Sequence, residues 1–232
     1  MKEHIYTIPV TGAFSEHAEK CPFCLLYDKL ERDEADLILG ASMMEPEIRR
    51  VTNEKGFCER HFGMLLTTKN RLGLGLILES HLEELKKDIK AGGVFTRDAG
   101  AKSAGRIAEL ERSCYICDRI EEKISKMFTT AAYLYDEEKE FRARFGERKY
   151  FCLPHSRRWL SAAKDALSRD GYSALARALC DKNGQYLHSL KEDVSLFCKK
   201  FDYRFDDLPW GESKDSIERA ARFLKGDRVK DQ

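Results

Sequence analysis

The 232-residue sequence predicts an all-α protein made of two copies of one helical unit. Only 5 prolines and 15 glycines interrupt the chain, which favours long helices over a turn-rich β fold. Apolar residues recur at helical spacing in several stretches. A Cys-x-x-Cys followed by a Cys-x-x-His occurs twice at nearly equal spacing. We therefore expect a first repeat over 1–98 and a second over 99–232, the second carrying a C-terminal strap and helix.

The repeated motif predicts metal binding. Within each repeat, 33 residues (25–57) or 34 residues (118–151) separate the two halves of the motif. Zinc prefers four tetrahedral ligands, and thiolate and imidazole both suit it. We expect two zinc ions, or similar divalent ions, each held by the three cysteines and one histidine of one repeat. The predicted ligands are Cys21, Cys24, Cys58 and His61 in the first repeat, and Cys114, Cys117, Cys152 and His155 in the second.

Other interpretations of these residues remain open at this stage. They include ordinary reduced cysteines of the core and an iron–sulfur cluster, although clusters usually use a compact run of cysteines. A thioredoxin-like redox motif is less favoured, because no βαβ pattern surrounds either Cys-x-x-Cys. A site with four protein ligands is closed and therefore structural by default. Glu59 lies beside the first motif, but Leu153 takes its place in the second, so no catalytic residue is predicted.

The first half is predicted to be mostly helical. We expect the backbone of residues 5–10 to be extended. On a later helix, the apolar stripe of Leu78, Leu82, Leu85 and Ile89 is predicted to face the protein core. The Gly-, Ala- and Ser-rich stretch 91–105 is the predicted linker between the repeats. The predicted helices of this half cover 11–20, 25–39, 58–66 and 72–90.

The second half follows the same plan. Cys180 and Cys198 lie among apolar residues and are predicted to be core thiols, while His81 and His188 are predicted to be packed or solvated. The stretch 201–211 alternates aromatic and polar residues and is predicted to be an extended strap. The predicted helices of this half cover 117–134, 155–167, 172–200 with an interruption at Asn183-Gly184, and 213–224.

Charge and targeting signals narrow the class of protein. The formal net charge is +1, which does not suggest a general polyanion binder. The N-terminus has no signal-peptide pattern and no stretch is apolar enough to span a membrane, so we expect a cytoplasmic protein. Basic residues interleave with aromatics around the second motif, which suggests either a solvated basic surface or a nucleic-acid surface. These basic residues are Arg142, Arg144, Arg148, Lys149, Arg157 and Arg158.

Several segments resemble an uncharacterised protein family of anaerobic Gram-positive bacteria. The segments are 21–24, 42–46, 53–58 and 203–211. The resemblance covers nearly the whole chain, implies a bacterial cytosolic setting and adds no catalytic residue.

We therefore predict a zinc-binding helical protein with an interaction or scaffold role and an unidentified protein partner, rather than an enzyme. No organic cofactor is predicted. A redox sensor or metal-dependent enzyme is the first alternative, and nucleic-acid binding through the basic face is the second.

Overall fold

The computed structural model of the chain describes residues 5–16, 19–91, 98–205 and 207–227. Throughout these ranges the secondary structure is helical and contains no strand, which confirms the predicted all-α class. The duplication of a helical unit stays a prediction. The helices are α1 (Thr7–Ser15), α2 (Pro22–Leu39), α3 (Pro46–Lys55), α4 (Glu59–Thr67), α5 (Arg71–Asp88), α6 (Ala101–Arg112), α7 (Tyr115–Glu137), α8 (Lys139–Glu147), α9 (Leu153–Ala166), α10 (Arg169–Lys199) and α11 (Ser216–Lys225).

The chain divides into two compact units that do not coincide with the predicted repeats. The first unit comprises residues 1–28 and 124–232, and the second comprises residues 29–123. The boundaries fall inside α2 and inside α7, not at residue 98. Each unit therefore combines segments from both predicted repeats.

The first unit has an aromatic core. Helix α1 contributes Phe14, which packs on Phe141 of α8 with ring centroids 4.5 Å apart. Phe23 of α2 packs on Phe128 of α7 at 4.2 Å and on Trp159 of α9 at 5.2 Å. All five side chains are essentially inaccessible to solvent. Such pairs contribute about 0.5–1.5 kcal/mol each beyond the area they bury, so this core holds α1, α2, α7, α8 and α9 together.

The second unit has a smaller aliphatic core. Helix α5 packs on α3, α4 and α6, and Leu74, Ile77 and His81 are its buried face. The predicted stripe is therefore displaced: Leu82 and Ile89 are exposed. Asn70 sets the start of α5, because its side chain accepts a hydrogen bond from the Gly73 N–H at 2.9 Å. Apolar residues such as Leu72 and Leu82 also lie on the exposed face of α5. The sequence therefore offers more than one apolar stripe, and the prediction chose a stripe that is only partly buried.

The structure corrects several predicted elements of secondary structure. Residues 7–10 begin α1 instead of an extended segment, because burial of Val10, Ala13 and Phe14 follows helical spacing. Part of the predicted linker lies outside the described residues, and its last residues already belong to α6. Helix α10 runs without interruption through Asn183. The predicted strap is not fully extended, since it contains short 3-10 helices at Tyr203–Phe205 and Gly211–Ser213.

Candidate metal centres

The eight predicted ligands gather into two clusters, but their pairing differs from the prediction. Within each cluster the potential ligand atoms all lie within 4.8 Å of one another. Each Cys-x-x-Cys meets the Cys-x-x-His of the other predicted repeat. Cluster I consists of Cys21, Cys24, Cys152 and His155, and cluster II consists of Cys58, His61, Cys114 and Cys117.

The exchange of partners has a physical cause in the helices that follow each Cys-x-x-Cys. Helix α2 has 18 residues and α7 has 23, which correspond to about 27 and 35 Å of helix. Both helices are continuous and carry the chain away from its own Cys-x-x-Cys. The helices that follow them are shorter, with 10 residues in α3 and 9 in α8, and span only about 15 and 14 Å. They do not bring the chain back to its own Cys-x-x-Cys, so each Cys-x-x-His meets the Cys-x-x-Cys of the other predicted repeat.

Cluster I lies entirely in the first unit. The His155 Nδ1 atom is 3.2 Å from the Cys152 sulfur, 3.4 Å from the Cys24 sulfur and 3.8 Å from the Cys21 sulfur. The Cys24 and Cys152 sulfurs are 3.8 Å apart. All four side chains are buried. One imidazole nitrogen thus faces three thiols across a space the size of one ion.

A buried amide positions the loop that carries Cys152. Asn183 of α10 accepts a hydrogen bond from the Phe151 N–H at 3.0 Å and donates to the Ser156 hydroxyl at 2.9 Å. The Ser156 hydroxyl in turn donates to the Phe151 carbonyl at 3.1 Å. Cys152 immediately precedes α9, so His155 lies in the first turn of that helix. Residues three apart in that turn face the same side, which brings both ligands together.

Gly226 and Asp227 cover one side of cluster I. The Asp227 N–H donates to the Cys24 sulfur at 3.5 Å. A Cβ on Gly226 would lie 3.6 Å from the Cys152 sulfur and 3.7 Å from the Cys24 sulfur, and Gly226 has a φ of +84°. That positive φ strains residues with a side chain. On another side, the ring of Tyr27 stacks on His155 at 5.1 Å.

Cluster II lies entirely in the second unit. The His61 Nδ1 atom is 3.2 Å from the Cys114 sulfur, 3.3 Å from the Cys58 sulfur and 3.4 Å from the Cys117 sulfur. The Cys58 and Cys117 sulfurs are 3.8 Å apart. His61 and Cys114 are buried, Cys58 is half-buried and Cys117 is exposed. The geometry repeats that of cluster I, whereas the access to solvent does not.

Backbone contacts hold the two loops of cluster II together. The Tyr115 N–H donates to the Gly56 carbonyl at 3.0 Å, and the Ser113 hydroxyl donates to the Lys55 carbonyl at 2.7 Å. Gly56 has a φ of +58°, a conformation that favours glycine. Its turn ends α3 and delivers Cys58 to the start of α4. The loop before α4 is therefore tied directly to the loop before α7.

A buried carboxylate beside cluster II was not predicted from the sequence. Glu31 of α2 lies with its Oε1 atom 3.5 Å from His61 Nε2. Arg60 donates to both oxygens of Glu31, from Nε at 2.8 Å and from a terminal nitrogen at 2.5 Å. Glu31 precedes Cys58 by 27 residues and lies in no motif, so the sequence carries no local signal for it. Glu59, the acidic residue considered from the sequence, is exposed.

The two clusters differ in their electrostatics. In cluster I, burial raises the pKa of the Cys21 thiol well above its ordinary range, and the Cys152 thiol adds to this effect. In cluster II, burial of Cys114 is outweighed by hydrogen bonding to His61, which brings the pKa of Cys114 down to about 6. Burial lowers the pKa of His61, but hydrogen bonds with Cys114 and Glu31 raise it to about 9. Within cluster II the shifts differ in sign, because burial and the neighbouring Cys114 and Cys58 sulfurs raise the pKa of Cys117 well above its ordinary range.

The basic residues around Cys152 do not form a stacking surface. The interleaved aromatics Phe141, Phe145, Tyr150 and Trp159 are all buried, so they are not open to bases. Several arginines bind the protein itself. Arg142 donates to the Tyr135 and Asp136 carbonyls at the end of α7, both at 2.8 Å. These observations disfavour the predicted alternative of nucleic-acid binding, which needs exposed aromatics beside free cations.

One prediction about the remaining thiols and histidines is wrong, namely the burial of two cysteines. Cys180 and Cys198 are exposed instead of belonging to the core, because the outer face of α10 carries them. His81 is buried and its ring contacts the Asn53 carbonyl through Nδ1 at 2.9 Å, as expected for a packed residue. His188 is exposed.

Comparison with known proteins identifies a family but no activity. The chain belongs to DUF6062, a family of unknown function whose model matches residues 1–231. This confirms the resemblance to a family without an established function. No curated protein and no solved structure matches the chain. Among the described residues, no helix is both long enough and apolar enough to cross a membrane.

Proposed function

We propose that each cluster binds one zinc ion and that both sites are structural. The spacing of the ligand atoms carries this proposal. With zinc–sulfur distances of about 2.3 Å and a zinc–nitrogen distance of about 2.0 Å, tetrahedral ligands stand about 3.8 Å apart for two sulfurs and about 3.5 Å apart for sulfur and nitrogen. The sulfur–sulfur contacts given above are both 3.8 Å, and the sulfur–nitrogen contacts range from 3.2 to 3.8 Å.

The same spacing argues for one ion per cluster and against an iron–sulfur cluster. A cluster of several irons takes its protein ligands on different irons, which separates them widely. Here all four ligand atoms lie within 4.8 Å of one another and suit a single metal. Three thiolates and one imidazole are a common structural zinc set. Three anionic ligands also compensate the ion, since three thiolates and one divalent ion carry a net charge of about −1.

A structural role follows from the number of ligands. Four protein ligands complete the tetrahedron and leave no position for a substrate or an activated water. Each ion would join the starts of two helices: α2 and α9 at cluster I, and α4 and α7 at cluster II. We therefore propose that the ions hold the helices in place and that the biological role is an interaction or scaffold role exercised by the protein surface. Exposed Cys180 and Cys198 support a reducing, cytoplasmic setting.

Metal analysis of paired variants tests both the ions and the pairing. The untreated protein should carry about two zinc ions per chain and be colourless. C21S/C152S removes two ligands from cluster I and should leave one ion. C21S/C58S removes one ligand from each cluster and should leave none or two weakly held ions that a mild chelator removes.

The alternative outcomes are distinct. If each ion were held within one predicted repeat, C21S/C58S would leave one tight ion, and C21S/C152S would leave none or two weakly held ions. A brown protein that contains iron and sulfide would refute the zinc proposal. A protein that folds fully without either bound ion would refute the structural role.

The interaction role requires a separate test. Zinc-loaded protein on a solid support should retain a specific protein from a cytosolic extract treated with nuclease. The C21S/C152S variant is the control, because loss of one structural ion should weaken retention. Recovery of nucleic acid alone, removed by salt, would instead favour the nucleic-acid alternative.

A further inference from the structure

We propose that Cys117 and Cys58 form a peroxide-reactive pair whose oxidation to a disulfide releases the ion of cluster II. This inference rests on the proposed function, because the reactive thiolates are zinc ligands. It assigns a modification site to one cluster and leaves the other as a permanent structural site. The argument uses access, distance and the surroundings of the sulfurs.

Access to solvent separates the two clusters. Cys117 is exposed and Cys58 is half-buried, so a small oxidant can reach both. In cluster I the cysteines are between 0% and 4% exposed. Oxidation depends on thiolate character and on exposure, and metal binding gives every ligand cysteine thiolate character. Exposure is therefore the property that distinguishes the clusters, and it favours Cys117 as the first residue to react.

The distance between the sulfurs selects the second thiol. The Cys58 and Cys117 sulfurs are 3.8 Å apart, and a disulfide brings two sulfurs to about 2.05 Å. Cys58 immediately precedes α4, at a loop where a shift of this size is feasible. The other neighbour of Cys117 is Cys114, which is buried and accepts the Cys117 N–H at 3.5 Å. Burial and that hydrogen bond hold Cys114 in place, which leaves the half-buried Cys58 as the second thiol.

The chemistry needs hydrogen peroxide as the only oxidant. The Cys117 thiolate attacks one peroxide oxygen, the O–O bond breaks, and the departing hydroxide takes a proton to give water. The product is a sulfenic acid on Cys117. The Cys58 thiolate then attacks this sulfur, a disulfide forms, and the second hydroxide also leaves as water. Two thiolates, one peroxide and two protons thus give one disulfide and two waters, with two electrons passing to peroxide.

Loss of the ion follows from the ligand count. A disulfide takes two of the four ligands of cluster II, so Cys114 and His61 alone remain. Two ligands do not retain zinc against a competing chelator. The loops before α4 and α7, which the ion joins, would then be held only by their backbone contacts. Reduction of the disulfide by a thiol reagent restores the site.

The experiment uses the 232-residue chain with C180S and C198S, because both of those exposed thiols would otherwise react. Zinc-loaded protein receives hydrogen peroxide in the presence of a coloured zinc indicator. We expect one of the two ions to be released, with the other released about tenfold more slowly or not at all. Peptide mapping by mass spectrometry should find a Cys58–Cys117 disulfide, and a thiol reductant with added zinc should restore two ions.

The matched variant is C117H in the same background. It converts cluster II to two cysteines and two histidines, another common structural zinc set, and Cys117 is exposed enough for the larger ring. The exchange of ligand changes the affinity of cluster II, but the ion that it holds should stay bound under peroxide, because no thiol remains at position 117.

Three outcomes would overturn the inference. They are equal release from both clusters, release of one ion with the disulfide between Cys114 and Cys117, and retention of both ions under peroxide. A protein that carries no ion before treatment would refute the proposed function and this inference together. A protein that carries two ions and releases neither would refute this inference alone.

Discussion

Cluster I and cluster II use the same ligand types in the same arrangement, but their surroundings are opposite. Cluster I is enclosed by the aromatic core, by the ring of Tyr27 and by the turn at Gly226. Cluster II has an exposed cysteine, and the buried carboxylate of Glu31, paired with the exposed Arg60, lies beside its histidine. One ligand set thus occurs once in a fully buried, mainly aromatic setting and once beside a buried carboxylate in a setting open to solvent.

This difference shows that the sequence motif determines the ligand geometry, whereas the surroundings determine stability and reactivity. The Cys-x-x-Cys and Cys-x-x-His spacing sets the ligand geometry in both clusters. Burial, covering segments and neighbouring charges then set stability and reactivity. We expect cluster I to dominate the stability of the protein and cluster II to respond to solutes. Four predictions test this contrast, in decreasing order of expected effect.

The largest expected effect is the loss of a ligand from cluster I. C152S should destabilise the first unit by about 4 kcal/mol or more, because metal binding is coupled to folding. The matched C58S change in cluster II should cost the second unit less, since the ligands of that cluster are more open to solvent. Both tryptophans, Trp159 and Trp210, lie in the first unit. Urea unfolding followed by tryptophan fluorescence therefore reports the first unit, and circular dichroism reports both.

The outcome that would contradict this contrast is a larger effect of C58S on the fluorescence transition than of C152S. Equal effects of both variants on both signals would show that the two clusters contribute equally to stability.

The second prediction compares the supports of the two ligand loops. N183A removes the buried amide that binds Phe151 and Ser156, and it should cost about 3 kcal/mol because it leaves buried polar groups without partners. S113A removes the half-buried hydroxyl that binds the Lys55 carbonyl and should cost about 1 kcal/mol. Urea unfolding of the zinc-loaded proteins gives both values. A cost for S113A that equals or exceeds that of N183A would contradict the ranking.

The third prediction concerns the carboxylate of cluster II. E31Q keeps the shape of the side chain but removes the charge that faces His61 and pairs with Arg60. Groups that bind a ligand histidine typically change metal affinity 10- to 100-fold, so we expect a loss of that size at cluster II and no change at cluster I. Competition with a chelator measures both affinities. The control is E59Q, because Glu59 is exposed and adjacent to the ligands in sequence. Equal effects of E31Q and E59Q would exclude a positioning role for Glu31.

The sequence predicted the helical class and all eight residues of the clusters, because helical periodicity and the short Cys-x-x-Cys and Cys-x-x-His spacings are local properties. It did not predict which pairs meet, because that depends on the courses of α2 and α7. Glu31 was missed for the same reason, since its contact with His61 joins distant segments. Cys180 and Cys198 were assigned to the core from apolar neighbours, but the face that a helix buries depends on what packs against it.

The smallest expected effect is a pH dependence of the second unit through His81. Its ring lies beneath the turn that delivers Cys58: a Cβ on Gly56 would be 3.2 Å from His81 Nε2. Burial lowers the pKa of His81, and the nearby Arg106 adds to the shift. The folded protein therefore binds a proton less readily than the unfolded chain. The resulting stability is complete above the unfolded value of about 6.5 and is lost as the pH falls through the folded value.

H81N tests this contribution, because its amide nitrogen can still donate to the Asn53 carbonyl but does not titrate. Between about pH 7 and pH 5, the second unit with His81 should lose more stability than the second unit with H81N. The measurement is urea unfolding by circular dichroism on the C21S/C152S background, whose cluster I lacks two ligands, so that cluster II is the remaining metal site. The exposed His188 supplies the control, and H188N should leave the pH profile unchanged. Parallel profiles for the wild type and H81N would show that protonation of His81 does not weaken the support of cluster II.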